Sequence, residues 1–440
     1  MKKLIGTVAV AALLASAAFA EINFGAWLRV LAAPVAGNGD DIVSGMTNSW
    51  GHGARPARIN IDATSEDEKV GFSMGVYNDA YSGIGAGDNY VMWAKPWDFL
   101  KISLGRWDYT AFRGDLTFGS WAWIRPVNWL FDDEGLTFDQ LGAKNGIQLE
   151  LAPVEGLLIM WNLPIASGWN DAYKMFEGQD IAAKYTIGDI GTIKLGWGGN
   201  GGRLYPNKGT AAKWVAGEKS YGSYEEAMQA EATNPTYVKA VAASGDEEKY
   251  LGDINVGFDL TGIDNLFLTV GAKISIASED YKTFHYAQAD DDDDPRFGFI
   301  KIALGASYQI TDNFKISANY GIQTWSKQDM GLFDMKFLPD HQFGVGIDVG
   351  LTDSLTLSAD FRGLIHGDAK VDGTKVDLDN DPSFSFLVGL TYNLSSNGYV
   401  GIGFQGVTGG NGFAIGGNPL KASKSDSFCW AVPIAVSVAF

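Results

Sequence analysis

The last thirteen residues of the chain confine it to a narrow set of folds. From Phe428 the even positions read Phe428, Trp430, Val432, Ile434, Val436, Val438 and Phe440, and the odd ones read Cys429, Ala431, Pro433, Ala435, Ser437 and Ala439. Large apolar groups fill one face and small groups the other, which is the period-two pattern of an extended strand. As a half-buried edge strand of a soluble sandwich, the segment would leave its apolar stripe in need of a partner sheet. As a membrane strand it turns that stripe to lipid and its small face to a lumen.

The same period recurs between short polar turns at Ser65 to Lys69, Pro96 to Phe99, Pro153 to Gly156, Gly188 to Gly191, Thr261 to Asn265, Thr311 to Asn313, Thr352 to Ser354 and Ser395 to Gly398. Eight turns join sixteen strands, and one further strand at each terminus makes eighteen. Sixteen is the alternative if the segments near Tyr90 or Tyr399 are not strands. The alternation is clearest where Leu266, Leu268, Val270, Ala272, Ile274 and Ile276 share one face while Thr269, Gly271, Lys273 and Ser275 share the other. The other ends of the hairpins carry long polar loops, the asymmetry of bacterial barrels. The expected fold class is therefore all-β, a transmembrane antiparallel β-barrel with short periplasmic turns and long outer loops.

The amino terminus fits this destination. Met1-Lys2-Lys3, an apolar stretch from Leu4 to Ala15 and the small-residue close Ala18-Phe19-Ala20 read as a signal peptide over 1–20, leaving 21–440 as one barrel domain. The apolar stretch is shorter than the ~20 residues a spanning helix needs. No comparable run follows, so helices cannot carry the rest of the chain across a membrane. A mean hydropathy near zero is compatible with a barrel, which hides its hydrophobicity by alternation. Cys429 is the one cysteine, so no internal disulfide is available.

This pattern resembles the bacterial porin superfamily across the whole of 21–440, and the closing strand resembles the signal that outer-membrane barrels present to their assembly machinery. The stretch Ala54-Arg55-Pro56-Ala57-Arg58-Ile59-Asn60 also looks like exported porin-like proteins of spirochaetes. The resemblance implies an outer-membrane channel for passive diffusion of small hydrophilic solutes, anions or sugars among them. The other reading is a surface-exposed adhesin or structural protein anchored by its barrel. Implied partners are outer-membrane lipid, the barrel assembly machinery and small solutes, with a homo-oligomer left open and no nucleic acid.

In porins the loop after the fifth strand folds into the lumen. Here that loop, 107–143, carries Trp107, Tyr109, Trp121, Trp123 and Trp129 among Arg113, Asp115, Arg125, Asp132, Asp133 and Glu134. The expected constriction residues are Arg113, Asp115, Trp121, Trp123, Arg125, Asp132, Asp133 and Glu134. Aromatic faces beside charges suit a sugar track, although tryptophans that pack a loop or mark a membrane interface are the more ordinary case. The long outer loop 198–249 contains a helix-like stretch from Tyr221 to Ala243, with Glu225, Glu226, Met228 and Glu231, broken at Pro235. Asp290 to Asp294 lack the spacing of a calcium loop and read as solvated charge.

His52, His285, His341 and His366 fall in or beside outer loops, and no serine elbow or paired metal spacing accompanies them. The chain is read as a non-enzyme, with no catalytic, cofactor or metal residues assigned.

The formal net charge is −19, yet the acids cluster in loops and turns. In the inward register stand Arg29, Arg58, Lys101, Lys144, Lys184, Lys194, Lys273, Lys301, Lys315 and Arg362, against Asp62, Glu150, Asp259, Asp348 and Asp360. The candidate pore-lining set is Arg29, Arg58, Lys101, Lys184, Lys194, Lys273, Lys301, Lys315, Asp348, Asp360 and Arg362. Charges must face inward in any case, because Arg or Lys at mid-depth on the lipid face costs ~2–4 kcal/mol.

Overall fold

A computed structural model describes residues 20–47, 57–79, 83–107, 144–165, 174–199, 251–277, 299–325, 334–371, 373–376, 381–409 and 428–440. Shorter stretches are described at 213–216, 219–221, 228, 236–238, 328–329, 412–415 and 418–421. No described helix is long and apolar enough to cross a membrane. Eighteen strands form one antiparallel sheet that closes on itself.

In chain order the strands are β1 Ala20–Gly37, β2 Ala57–Ser65, β3 Val70–Asp79, β4 Gly83–Trp97, β5 Leu100–Trp107, β6 Lys144–Leu151, β7 Leu157–Pro164, β8 Asp180–Ile187 and β9 Gly191–Gly199. They continue as β10 Leu251–Ile263, β11 Leu266–Ala277, β12 Phe299–Thr311, β13 Phe314–Trp325, β14 Asp340–Gly350, β15 Leu355–Ile365, β16 Ser383–Ser395, β17 Gly398–Val407 and β18 Cys429–Ala439. Each pairs with its sequence neighbour, and β1 pairs with β18 from Trp27↔Ala439 to Gly37↔Trp430. All eight expected turns lie between these strands, so the count is eighteen rather than sixteen. An even count brings both ends of the sheet to the turn side.

β1 serves two neighbours on its other edge. Its first half pairs with β2, from Ala20↔Ser65 to Leu28↔Ala57, and its second half pairs with the short strand Ile42–Thr47. The register slips between Ala32 and Val35, a bulge that accommodates Pro34, which has no amide to give a ladder. The reversal into Ile42–Thr47 is set by Asn38, whose Oδ1 accepts the amides of Asp41 at 2.9 Å and Asp40 at 3.2 Å. Turns at the opposite end use the same device: Thr352 Oγ1 accepts the Leu355 amide at 3.1 Å, and Asn313 Nδ2 donates to the Gly350 carbonyl at 3.1 Å.

The two faces differ as the alternation requires. Val388, Leu304, Ile302 and Val345 are exposed on the outside, whereas Ser385, Gln405 and Asn319 from the opposite phase are buried within. Near the loop end the outer surface carries a chain of rings. Phe343 meets Phe361, Phe361 stacks on Phe384, and Phe404 joins Phe386 to Trp430, with centroids 5.8–6.2 Å apart. Near the turn end Trp97 stacks on Phe99, and Tyr308 and Tyr392 are exposed. On β16, Phe384 and Tyr392 are eight residues apart, about 26 Å along the strand and about 20 Å along the axis at a ~40° tilt. Apolar side chains between two aromatic girdles at that separation match hydrocarbon, not water. The chain is a membrane-spanning barrel of the outer-membrane kind.

Within the helix-like stretch expected from Tyr221 to Ala243, the described residues at 221 and 236–238 are strand instead. Tyr221 ends a strand, Lys219–Tyr221, and Thr236–Val238 is another. Both pair with Lys213–Ala216, with Trp214 opposite Tyr221 on one edge and Tyr237 on the other. Aromatic and β-branched residues favour the strand at these pairing positions. Met228 alone among the described residues of that stretch is helical. Gly198 and Trp107, read as loop boundaries, are instead strand residues of β9 and β5.

Candidate functional site: the charged inner wall

Register places every described member of the expected inward set on the inner face. The guanidinium of Arg29 lies over the Trp27 ring, 4.5 Å from its centroid. Arg58 donates to Asn60 Oδ1 and to Asn89 Oδ1, the latter at 2.6 Å. Lys101 stands directly opposite Glu150 and binds it at 2.9 Å. Lys315 is likewise opposite Asp348, 3.4 Å away, and Asp348 also accepts the Ser358 hydroxyl at 2.6 Å. Lys194 pairs with Asp259, which accepts Thr269 Oγ1 at 2.7 Å. Arg362 contacts Asp360 at 3.3 Å, and both side chains are 2% exposed. Lys184 faces Lys194, and Lys273 faces Lys301, across neighbouring strands.

The inner charge balance differs from the expected ten bases against five acids. Asp180, Asp253 and Asp340 also face inward, since they stand opposite the inward residues Asn162, Ser275 and Gln323. Asp253 lies 3.6 Å from Lys273. Asp340 accepts the Gly367 amide at 2.8 Å and approaches His366 Nδ1 at 3.4 Å. Among the described side chains, ten bases therefore face eight acids: Arg29, Arg58, Lys101, Lys184, Lys194, Lys273, Lys301, Lys315, Arg362 and, missed in the sequence, Lys95, which is in phase with the inward Trp93 and lies 5.2 Å from its ring. The acids missed are Asp180, Asp253 and Asp340, which sit at strand ends beside loops. Asp253 alternates in phase with Asn255, Gly257 and Asp259, so its direction was readable. Lys144 keeps its place in the strand ladder opposite Trp107, and its side chain lies outside the described residues.

The constriction candidates Arg113, Asp115, Trp121, Trp123, Arg125, Asp132, Asp133 and Glu134 lie outside the described residues, as do His52, His285, Asp290 to Asp294 and the segment 1–19. His341 belongs to the outer surface, where its Nδ1 lies 2.6 Å from the Tyr320 hydroxyl. No group of three or more metal-ligating side chains occurs among the described residues.

A closed barrel of even strand number, with polar charges inside, rings outside and short turns at one end, has a distinctive architecture. The barrel is porin-like. No family model and no curated protein matches the chain. Among solved structures, an anion-selective porin from Comamonas acidovorans is 14% identical over 96% of this chain and 100% of that one, with a TM-score of 0.48. OmpT of Vibrio cholerae, an outer-membrane protein, and the outer-membrane channel DcaP of Acinetobacter baumannii are each 11% identical over 96% of this chain and 98% of theirs, with TM-scores of 0.44. One in-vitro folded OmpT is a trimer form. These are likenesses of overall shape, and no residue role is carried across from them.

Proposed function

We propose that the barrel is a water-filled channel for passive diffusion of small hydrophilic solutes and performs no catalysis. The observation that carries this reading is the inner wall itself, a ring of opposed lysines, arginines and carboxylates in a barrel of eighteen strands. Barrels of 16–18 strands enclose more space than their wall side chains fill. Export by the segment 1–20 and assembly as a homo-oligomer accompany the reading.

One observation bears on how wide that path is. Arg362, Gln342 and Gln405 are each at most 2% exposed, although all three point into the barrel. Such burial fits a narrowed path, and we propose loop 107–143 as the constriction. It also lends weight to the rival reading of a sealed barrel that anchors surface loops. Planar-bilayer recording separates them: stepwise openings carry the channel, and a silent, correctly folded protein sinks it. Removing part of Gly119 to Asn128 should enlarge the steps, and unchanged steps would place that loop outside.

A further inference from the structure

A cavity of about 420 Å³ lies at the turn end of strands β10 to β13. That is within the ~300–1,000 Å³ range of small-molecule sites. Register arranges its wall in two rows. Phe267 of β11 stands opposite Ser307 of β12, and one row nearer the turns Gln309 stands opposite Lys315 of β13. All four occupy the inward phase of their strands, shared with Lys273, Lys301 and Asn319. The β10–β11 turn closes the rim with Asp264 and Asn265, the latter at φ +63°. The four wall residues are half-buried and the two turn residues are exposed, so solvent reaches the whole lining.

The lining combines three chemistries. Phe267 continues a phase that otherwise reads Thr269, Gly271 and Lys273, and so sets a partly wet aromatic ring on the polar side of the wall. Covering such a face removes apolar area from water. Lys315 supplies a cation whose side chain is 44% exposed; its carboxylate neighbour, Asp348, lies 3.4 Å away and also accepts the Ser358 hydroxyl at 2.6 Å. Gln309 Nε2 donates to the Thr311 carbonyl at 2.6 Å, which fixes the amide and leaves Oε1 as an acceptor. Asp264 adds a carboxylate at the rim.

We propose that this cavity binds a small zwitterion of the α-amino-acid class that carries an apolar side chain. Its carboxylate accepts from Lys315 and from the Ser307 hydroxyl, its ammonium donates to Gln309 Oε1 and Asp264, and its side chain covers Phe267. A simple anion would meet Asp348 beside Lys315 and leave the two acceptors unused. An amine would have nothing to offer Lys315, and a zwitterion without a side chain would leave the ring wet. The inference rests on the lumen being a solute path and names the class of solute that path favours.

The probe is leucine, with 4-methylpentanoate and 3-methylbutylamine as its carboxylate-only and ammonium-only halves, and glycine as the zwitterion without a side chain. Two readouts are taken on the full protein: block of chloride current in bilayers, and saturation-transfer NMR net of detergent alone, which needs no conduction. Leucine should bind about tenfold more tightly than either half or glycine. Lys315→Gln should remove its advantage over the amine, and Lys315→Arg, which keeps the charge, should retain it. Phe267→Ala should bring leucine down to the level of glycine. Asp264→Asn should weaken leucine about threefold and leave 4-methylpentanoate unchanged. Equal binding of leucine and either half, leucine binding indifferent to Lys315→Gln or Phe267→Ala, or no net transfer to leucine would each overturn the proposal. Channels that open without leucine block or transfer would sink the site and spare the pore. A silent barrel that shows Lys315-dependent transfer would do the opposite.

Discussion

The backbone of Phe440 closes the barrel on Ala26. Its amide donates to the Ala26 carbonyl at 2.7 Å, and its carbonyl accepts the Ala26 amide at 2.8 Å. From the other side Asn397 Nδ2 donates to the Ala439 carbonyl at 2.9 Å, so the final residues lie between the first strand and the last turn. The Phe440 ring itself is 80% exposed, on the lipid-facing stripe. Its chemistry therefore acts on insertion rather than on internal packing. Phe440→Ser keeps both backbone bonds and is expected to lower the yield of folded, heat-modifiable protein in the membrane. Wild-type yield would count against the closing role of this strand.

Gly105 offers a test of the wall at β5. It adopts φ +134°, in the region open chiefly to glycine, and a Cβ there would meet the Tyr90 carbonyl oxygen of β4. Backbone cannot yield as a side-chain tip can. Gly105→Ala should cost about 1–3 kcal/mol, the usual scale for overpacking, read as a lower midpoint in denaturant unfolding. An unchanged midpoint would mean that the β4–β5 register differs from the one described here.

How much of this architecture was legible in the sequence follows from what the membrane demands. Strand number and facing were readable because charged and amide side chains are costly on the lipid-facing stripe, so residues such as Val388 and Gln405 declare their side. Loops meet no such demand. Tyr221 and Tyr237 were read as part of a helix-like stretch, yet Trp214 collects both into a small sheet through pairings remote in sequence. The inner site was half legible: Lys273 and Lys301 were both assigned inward, but that they oppose each other depends on register. β11 and β12 are joined through 278–298 and not by a short turn, so no local turn chemistry declares their register.

The periplasmic turn after β2 provides a pH marker outside the membrane. The Asp67 carboxylate accepts the Ser65 hydroxyl at 2.6 Å and the Lys69 amide at 3.1 Å. Led by the Ser65 bond, these hold it below the usual carboxylate range. Asp98 is held down too, by Lys69 at 2.5 Å. Because the folded values are depressed, the stabilisation is present above the unfolded carboxylate pKa and disappears as pH falls through the folded one. Ser65→Ala should move the Asp67 titration upward, as followed by carboxyl NMR. A titration that stays in place would show that the hydroxyl is not the dominant cause.

Ion preference tests the inner wall as a whole. Ten described bases face eight described acids, a smaller excess than the ten against five read from the sequence, and at least five of the bases have an acid within 4 Å. Charges on the wall act on a permeating ion within a Debye length of ~8 Å at physiological salt, while carboxylates on loops farther out are screened. The expected outcome is a weak anion preference, seen as a small reversal potential under a salt gradient. Changing Lys273, Lys301 and Lys315 together to Gln leaves seven bases against eight acids, and also releases Asp253 and Asp348 from their lysines. The sign of the reversal potential should therefore invert, with the wild-type anion preference giving way to cation preference. A wild-type pore that is already clearly cation-selective, or a triple variant with unchanged reversal potential, would show that these strands do not set the field along the path.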